Sequence, residues 1–336
     1  MPKSSTDIVT LAGIKKAARE LGPLIKETPV VGLYPTISSR YLPKNSEFIF
    51  KCEIFQHAGS FKARLALLAI GRMSAEQKRR GVVAASAGNH GVGVAFAGNR
   101  FGVSVKIFMP RSAQNARVEL AKFYGAEIIY CSDIFEAFAR AVECQKSEER
   151  VFIHPFEGEA QALANGTIAL EILKQVPKFD YLVVPVGGGG LIAGMSAAIK
   201  ESGSRAKIIG VEPKGAPSLW RSFRSGKPEA LSKVATIADS LAPPRALPFS
   251  FALARRFVDE IVLVDDDLIV KAQYLLFHEL KVALEPAGAT AFAGLMGPLC
   301  RKLSGKRIVS LLCGSNIDCE AFVTQLDKGQ KLLNRG

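Results

Sequence analysis

The sequence predicts an α/β protein made of two open, twisted sheets flanked by helices. Three observations carry that expectation. The chain has 336 residues, which is long for one hydrophobic core when domains run to about 100–200 residues. Between Gly81 and His154 short apolar runs alternate with helical stretches, the order that builds a parallel sheet with helical crossovers. Beyond residue 155 a second alternation begins, and its first strand runs into four consecutive glycines before a helix. The expected division is a small lobe over residues 81–154 and a large lobe made of residues 1–80 and 155–336.

Each element has its own signal. Ile8 to Leu24 reads as a helix, with Ile8, Leu11, Ile14, Ala17 and Leu21 on one face and Gly22-Pro23 ending it. Thr28-Pro29 opens an extended section, and Glu47 to Glu53 reads as a strand whose buried part is Phe48-Ile49-Phe50. Leu65 to Ile70 continues as a helix. In the small lobe the strands are Val82 to Ala85, Val103 to Met109, Ile128 to Tyr130 and Val151 to Ile153. Helices follow the glycine turn after Ala85 and cover Ala113 to Tyr124 and Asp133 to Cys144. The large lobe resumes with a helix over Ala160 to Leu173, a strand from Tyr181 to Val186, a helix over Leu191 to Lys200 and a strand from Lys207 to Val211. Pro213 to Pro248 is irregular, punctuated by Pro217, Pro228, Pro243 and Pro244. A strand at Glu260 to Val264, a helix over Leu268 to Leu280, the stretch Glu285 to Ala289 and a strand at Arg307 to Leu312 complete the reading.

Composition narrows the function classes. With 48% hydrophobic and 22% charged residues and a mean hydropathy of +0.17, the chain can fill a large core and is not a disordered polymer. No apolar run reaches the roughly 18 residues of a membrane span, and Met1 to Thr10 is too polar for a secretory signal, so a cytoplasmic location is expected. Cys52, Cys131, Cys144, Cys300, Cys313 and Cys319 are scattered, with no Cys-x-x-Cys pair, which indicates reduced thiols. The net charge of +13 suits solubility and anionic ligands. Because Lys and Arg are spread along the chain and aromatic-basic interleaving is missing, no nucleic-acid partner is expected.

Three stretches carry chemistry. Gly59-Ser60-Phe61-Lys62-Ala63-Arg64 places a lysine among small and apolar residues where an extended segment gives way to a helix. A desolvated lysine amine loses its proton more easily and can attack a carbonyl, although a solvated surface lysine is the commoner case. Gly187, Gly188, Gly189 and Gly190 stand between a buried strand and a helix, where bare N–H groups and the helix dipole can cradle a phosphate; the alternative is a flexible turn. The spacing is neither a dinucleotide fingerprint nor a P-loop. Ser86-Ala87-Gly88-Asn89-His90-Gly91 occupies the same kind of position and offers a second anion site suited to a carboxylate, with Ser86 and Asn89 as side-chain donors. His90 by itself reads as a structural histidine.

Taken in order, these motifs resemble the threonine/serine dehydratases of the fold-type II pyridoxal 5'-phosphate enzymes, the group related to tryptophan synthase β-chains and serine racemase. The resemblance runs through Thr28-Pro29, G-S-F-K at 59–62, S-A-G-N-H-G at 86–91, G-G-G-G-L at 187–191, V-E-P at 211–213, E-P-A-G-A at 285–289 and C-G-S-N at 313–316. It implies that the cofactor lies between the two lobes, with Lys62 as its covalent anchor and the base that removes the substrate α-proton. Gly187 to Gly190 would hold its phosphate, Phe61 would pack on its ring and Asn89 would bond its phenolic oxygen. Cys313 would face its pyridine nitrogen, with Glu285 near the ring. A thiol at that nitrogen leaves the ring a weaker electron sink than a carboxylate would, which favours prompt loss of a β-substituent. Ser86, Ala87, Gly88, Asn89 and His90 would hold the substrate carboxylate. The implied reaction is β-elimination from L-threonine or L-serine to a 2-oxo acid and ammonia, in a homodimer.

Departures from the family pattern matter. Where the racemase has a second serine, Ala87 has no proton to exchange, which favours elimination over racemisation. Glu212 begins the family's divalent-cation site, but Ser218 stands where the next carboxylate is expected, so Glu212 is a weak metal candidate and no metal is expected. Leu65 replaces a glycine common after the arginine. Alternatives remain: a dehydratase of 3-hydroxyaspartate or phenylserine, a serine racemase-like activity, or a catalytically silent binding protein on the same fold. The segment from Ala238 to Pro248 would shape the side-chain pocket, and Arg245 would suit an acidic substrate if it is not a surface charge.

Overall fold

The computed structural model describes residues 9–335. Its strands, numbered in chain order, are β1 (Val30–Leu33), β2 (Glu47–Cys52), β3 (Val82–Ala85), β4 (Val105–Pro110) and β5 (Glu127–Cys131), then β6 (Val151–Phe152), β7 (Tyr181–Pro185), β8 (Lys207–Pro213), β9 (Glu260–Val264) and β10 (Arg307–Leu312). They form two sheets. One has six strands in the order β1-β2-β10-β7-β8-β9, the other four in the order β5-β4-β3-β6. Only β1 runs antiparallel to its neighbour. Parallel strands are covered by helices on both faces. All four residues of β3 and Leu182 to Pro185 of β7 are accordingly buried and apolar.

Some helices start where a capping side chain dictates. Thr10 accepts from Gly13 N ahead of Leu11–Leu21, and Asp133 accepts from Glu136 N at 2.8 Å ahead of Ile134–Ser147. The helix expected from Ile8 therefore begins at Leu11, Ile8 itself lying outside the described residues. The stretch opened by Glu285 is a helix, Pro286–Met296, with every residue buried. Being apolar all round, it shows no amphipathic period in sequence. The segment read as irregular contains the short helix Ser218–Ser225 and is followed by Pro248–Phe257. The chain also carries helices at Ala75–Arg80 and Cys319–Asn334 that were not expected.

Strand order determines where loops meet. β10 lies between β2 and β7, all three parallel, so their carboxyl ends share one edge of the sheet. The segments leaving that edge are residues 53–62, 313–316 and 187–190. The carboxyl end of β3, in the other sheet, supplies residues 86–90. Ligands of open α/β sheets bind at such ends.

Candidate active site

Lys62 opens the helix Lys62–Gly71. The turn before it is tight, with Ala58 and Gly59 at φ 60° and 69°, the left-handed region that a β-carbon disfavours. What holds this turn is the strand end beside it. Phe61 N donates to the Cys313 carbonyl (3.2 Å), Ser315 N to the Gly59 carbonyl (3.1 Å), and Asn316 Nδ2 to the Ala58 carbonyl (2.8 Å). A β-carbon on Gly59 would overlap the Asn316 side chain. The motif at 59–62 and the motif at 313–316 are thus two halves of one construction.

The Lys62 amine donates to the Pro155 carbonyl and lies 5.0 Å from the centre of the Phe61 ring. Burial pushes its pKa down to about 8, against the raising influence of Cys313 and Glu285. The desolvating walls are those of the cavity. Leu65, Leu67 and Leu68, the apolar residues that follow Lys62 in sequence, are buried in the core and do not line it.

Phe61, Lys62, Ser86, Ala87, Gly88, Asn89, His90, Gly187 to Gly190, Glu285 and Cys313 all line one cavity of about 530 Å³, a size that suits a small-molecule site. The glycine loop is bare for specific reasons. Gly189 has φ +86°, and a β-carbon on Gly187 would stand 3.0 Å from Leu241 Cα. One on Gly188 would run into the Phe156 ring, and one on Gly190 into the Phe156 carbonyl. The loop opens the helix Gly190–Glu201, whose first N–H groups have no intrahelical partner. This cradle, a desolvated lysine and a cavity between them fit a phosphorylated aldehyde.

Ser86 Oγ closes its loop on itself, accepting from Gly88 N at 3.0 Å and donating to the Gly88 carbonyl at 3.1 Å. The same loop opens the helix Asn89–Phe101. Asn89 donates from Nδ2 to Glu285 Oε1 (2.6 Å) and accepts at Oδ1 from Asn316 Nδ2 (2.8 Å). His90 bonds the Ile153 carbonyl through Nε2 (2.7 Å). Burial, then the Lys62 charge, holds its pKa well below the ordinary value, so the ring is neutral. The Cys313 thiol is pushed well up by burial and by the nearby Glu285, and it is a neutral group at physiological pH.

Glu212 is not at the cavity. It accepts from Leu219 N (2.9 Å), Trp220 N (2.8 Å) and Ser218 Oγ (3.4 Å), capping the helix Ser218–Ser225. The weak metal candidate is therefore a helix cap as it stands, and among the described residues no group of three His, Cys, Asp or Glu is placed to hold a metal ion. Pro243 and Pro244 line the cavity, whereas Arg245 is exposed and does not.

The pairing of two side chains went unread in sequence, although one of them, Asp239, lies in the segment from Ala238 that was expected to shape the pocket and does line it. Arg117, fully buried on the helix Asn115–Phe123, bonds Asp239 at 2.6 and 3.1 Å and Glu285 at 3.0 Å. Asp239 itself lines the cavity. An arginine in an ordinary helix and an aspartate in an irregular segment carry no periodic signal. A third feature, the aromatic wall of Phe138 and Phe156 with His154 between them, is spread over two separate segments.

Comparison with known proteins agrees with this geometry. A family profile described as pyridoxal-phosphate dependent enzyme matches residues 23–314. The chain belongs to that family. Its cofactor is pyridoxal 5'-phosphate, and its fold is that of the fold-type II members. Among relatives of the family, a phenylserine dehydratase from Ralstonia pickettii is 43% identical over 280 residues, 83% of this chain and 86% of the relative. An L-threonine ammonia-lyase from Thermotoga maritima is 38% identical over 323 residues, 96% of this chain and 79% of the relative. The solved structure of maize serine racemase superposes with a TM-score of 0.88 at 32% identity, covering 97% of this chain and 99% of that one.

Proposed function

We propose that the chain eliminates the β-hydroxyl and the amino group of L-threonine or L-serine, giving a 2-oxo acid and ammonia. One observation carries this reading. A lysine amine of lowered pKa, a bare glycine cradle and a loop of helix-terminal N–H groups face one cavity. When bound, the cofactor withdraws electrons from the substrate α-carbon. Gly187 to Gly190 would hold its phosphate, Phe61 its ring face, and Asn89 its phenolic oxygen. Cys313 would meet the ring nitrogen as a neutral thiol, with Glu285 beside the ring.

The chain's own groups then divide the work. In the loop from Ser86 to His90 the Ser86 and Gly88 N–H groups are already bonded within the protein, and those of Ala87, Asn89 and His90 would meet the substrate carboxylate and orient the α-proton toward Lys62. The Lys62 amine takes that proton, for which a lowered pKa suits it. Ala87 offers no base on the opposite face, which supports elimination over a racemase-like outcome. The reading places the cofactor between residues 81–154 and the large lobe of residues 1–80 and 155–336. It also takes the protein as a cytoplasmic homodimer. Six free thiols suit a reducing compartment. Exposed Tyr34, Ile37, Phe277 and Val323, on segments that contact one another, offer a face to a second copy.

A second reading takes phenylserine as substrate. The observation favouring it is that Ile134, Phe135, Phe138 and Phe156 line the same cavity. The side-chain end of the site would receive an aryl ring on aromatic edges. A panel of serine, threonine, phenylserine and 3-hydroxyaspartate, read by 2-oxo acid formation, tests both readings. Product from threonine or serine is expected; turnover of phenylserine alone selects the second reading, and no product from any of the four sinks the function. Lys62→Ala should abolish turnover. Borohydride reduction should fix the cofactor's mass on Lys62 in the wild type and nowhere in the variant.

A further inference from the structure

Arg117 has five N–H donors, and the structure gives each an acceptor. Nε donates to the Asn316 carbonyl (2.9 Å) and Nη1 to Asp239 Oδ2 (2.6 Å) and the Ala87 carbonyl (3.4 Å). Nη2 donates to Asp239 Oδ1 (3.1 Å) and Glu285 Oε2 (3.0 Å). Its acceptors include a residue on the substrate-side loop, a carboxylate at the cavity wall, a carboxylate beside the cofactor site, and the loop that follows Cys313. A lysine could satisfy three of the five.

The consequence falls on Asn89. Glu285 with a full negative charge only accepts hydrogen bonds, so the amide edge that meets its Oε1 must be the NH₂ of Asn89. The carbonyl edge is then turned to Asn316 Nδ2, which donates to it. One Nδ2 hydrogen of Asn89 remains, and Asn89 lines the cavity. Glu285 itself is fully buried, which raises its pKa, and Arg117 is the foremost of the groups that oppose that rise. Arg117 is the cation in contact with it. Without Arg117, a protonated Glu285 could donate to Asn89 Oδ1, and only the bond from Asn316 Nδ2 would still turn the Asn89 NH₂ toward the cavity.

We propose that Arg117 is a positioning residue: by holding Glu285 as an acceptor, it orients Asn89 as the hydrogen-bond donor to the bound cofactor. This rests on the reading of Asn89 as the group that meets the cofactor's phenolic oxygen. Arg117 need not touch the cofactor, and its effect passes through Glu285 and Asn89.

A double-mutant cycle on reconstituted protein tests the inference, with the dissociation constant of pyridoxal 5'-phosphate and the visible absorption spectrum as readouts. Arg117→Met and Asn89→Ala should each weaken cofactor binding by about tenfold, the size expected for a hydrogen bond involving a charged group. The two should shift the absorption band in the same direction. The double variant should be no weaker than Asn89→Ala, since both remove the same donor. Arg117→Lys should recover part of the affinity, and if Arg117→Met does not fold the cycle is run on Arg117→Lys.

Asp318→Asn separates orientation from simple docking. Asp318 pins the same helix through Asn115 N (3.2 Å) and Ala116 N (2.6 Å) without contacting Glu285, so its replacement should leave cofactor affinity within about twofold. Additive losses in the cycle, or an Asp318→Asn loss equal to that of Arg117→Met, would overturn the inference while the function above stands. A wild type that takes up no pyridoxal 5'-phosphate would defeat the underlying reading as well.

Discussion

Two buried arginines in this protein are built alike and do different things. Arg64, two residues after Lys62, is fully buried between Glu53 (2.8 Å) and Glu171 (2.6 Å), and Lys51 completes the group with its own contact to Glu171 (2.6 Å). Two cations meet two carboxylates, and Thr28, Thr167 and Gln175 take up further bonds. Arg117 is equally buried, but its ion-pair partners are Asp239 and Glu285, one cation against two carboxylates. The balanced cluster lies away from the cavity and ties β2 to two helices. The unbalanced one borders the cavity, where Glu285, after Cys313, helps to hold the Lys62 proton against desolvation. Charge neutrality marks the scaffold, and charge imbalance marks the site.

That contrast breaks first at Arg64. Arg64→Met leaves Glu53 fully buried without its partner, and removing one member of a buried ion pair costs about 3–5 kcal/mol. The urea unfolding midpoint should fall accordingly. Arg117→Met should cost less, because Glu285 can take a proton and Asp239 keeps 37% of its side chain exposed to water. Equal stability losses for the two variants, with cofactor affinity unchanged in Arg117→Met, would erase the distinction between scaffold and site.

The glycine cradle sharpens the same distinction at smaller cost. Gly188→Ala places a β-carbon into the Phe156 ring, and overpacking of this kind costs about 1–3 kcal/mol. Cofactor affinity should drop together with the thermal midpoint. Adding Phe156→Ala should restore much of the affinity, because it removes the obstacle. A double variant as weak as Gly188→Ala would mean that bare N–H groups, not the ring, require the glycine.

Sequence legibility followed the physics of each part. β3 and β10 were readable to the residue because parallel strands buried on both faces are short apolar runs, and the partly buried edge strand β9 was readable from its own apolar run, Ile261 to Val264. The helix Pro286–Met296 was not, because its residues are apolar on every side and leave no 3.6-residue period. Lys62, the glycine loop and the Ser86 loop were legible as motifs: their chemistry is local, a lysine or a set of N–H groups at a strand end. Arg117 and Asp239 were not, since their role exists only after residues 122 positions apart in sequence come within 2.6 Å. Ser218 stands in sequence where the cation pattern would need a second carboxylate beside Glu212. It could not show that the carboxylate would be spent on the Leu219 and Trp220 N–H groups.

Glu212 is the limiting case of the comparison, a buried carboxylate whose hydrogen-bond donors, Ser218 Oγ and the Leu219 and Trp220 N–H groups, are uncharged. Burial raises its pKa from 4.5 to about 8, only partly opposed by the bonds from Leu219, Trp220 and Ser218. Between those values the folded protein retains a proton that the unfolded chain releases, so stability falls as pH rises from about 4.5 to about 8 and levels off above. Glu212→Gln removes that titration while keeping an acceptor for the helix N–H groups. At pH 4 the variant and the wild type should melt within a degree or so of each other, and by pH 8.5 the variant should be the more stable by about 2 °C or more, the shift that roughly 1 kcal/mol produces in a chain of this size. Parallel melting curves across that range would show that the three donors hold Glu212 ionised in the folded state. Glu212 would then need no neighbouring cation, and the rule drawn from Arg64 and Arg117 would apply only to carboxylates that lack a helix terminus.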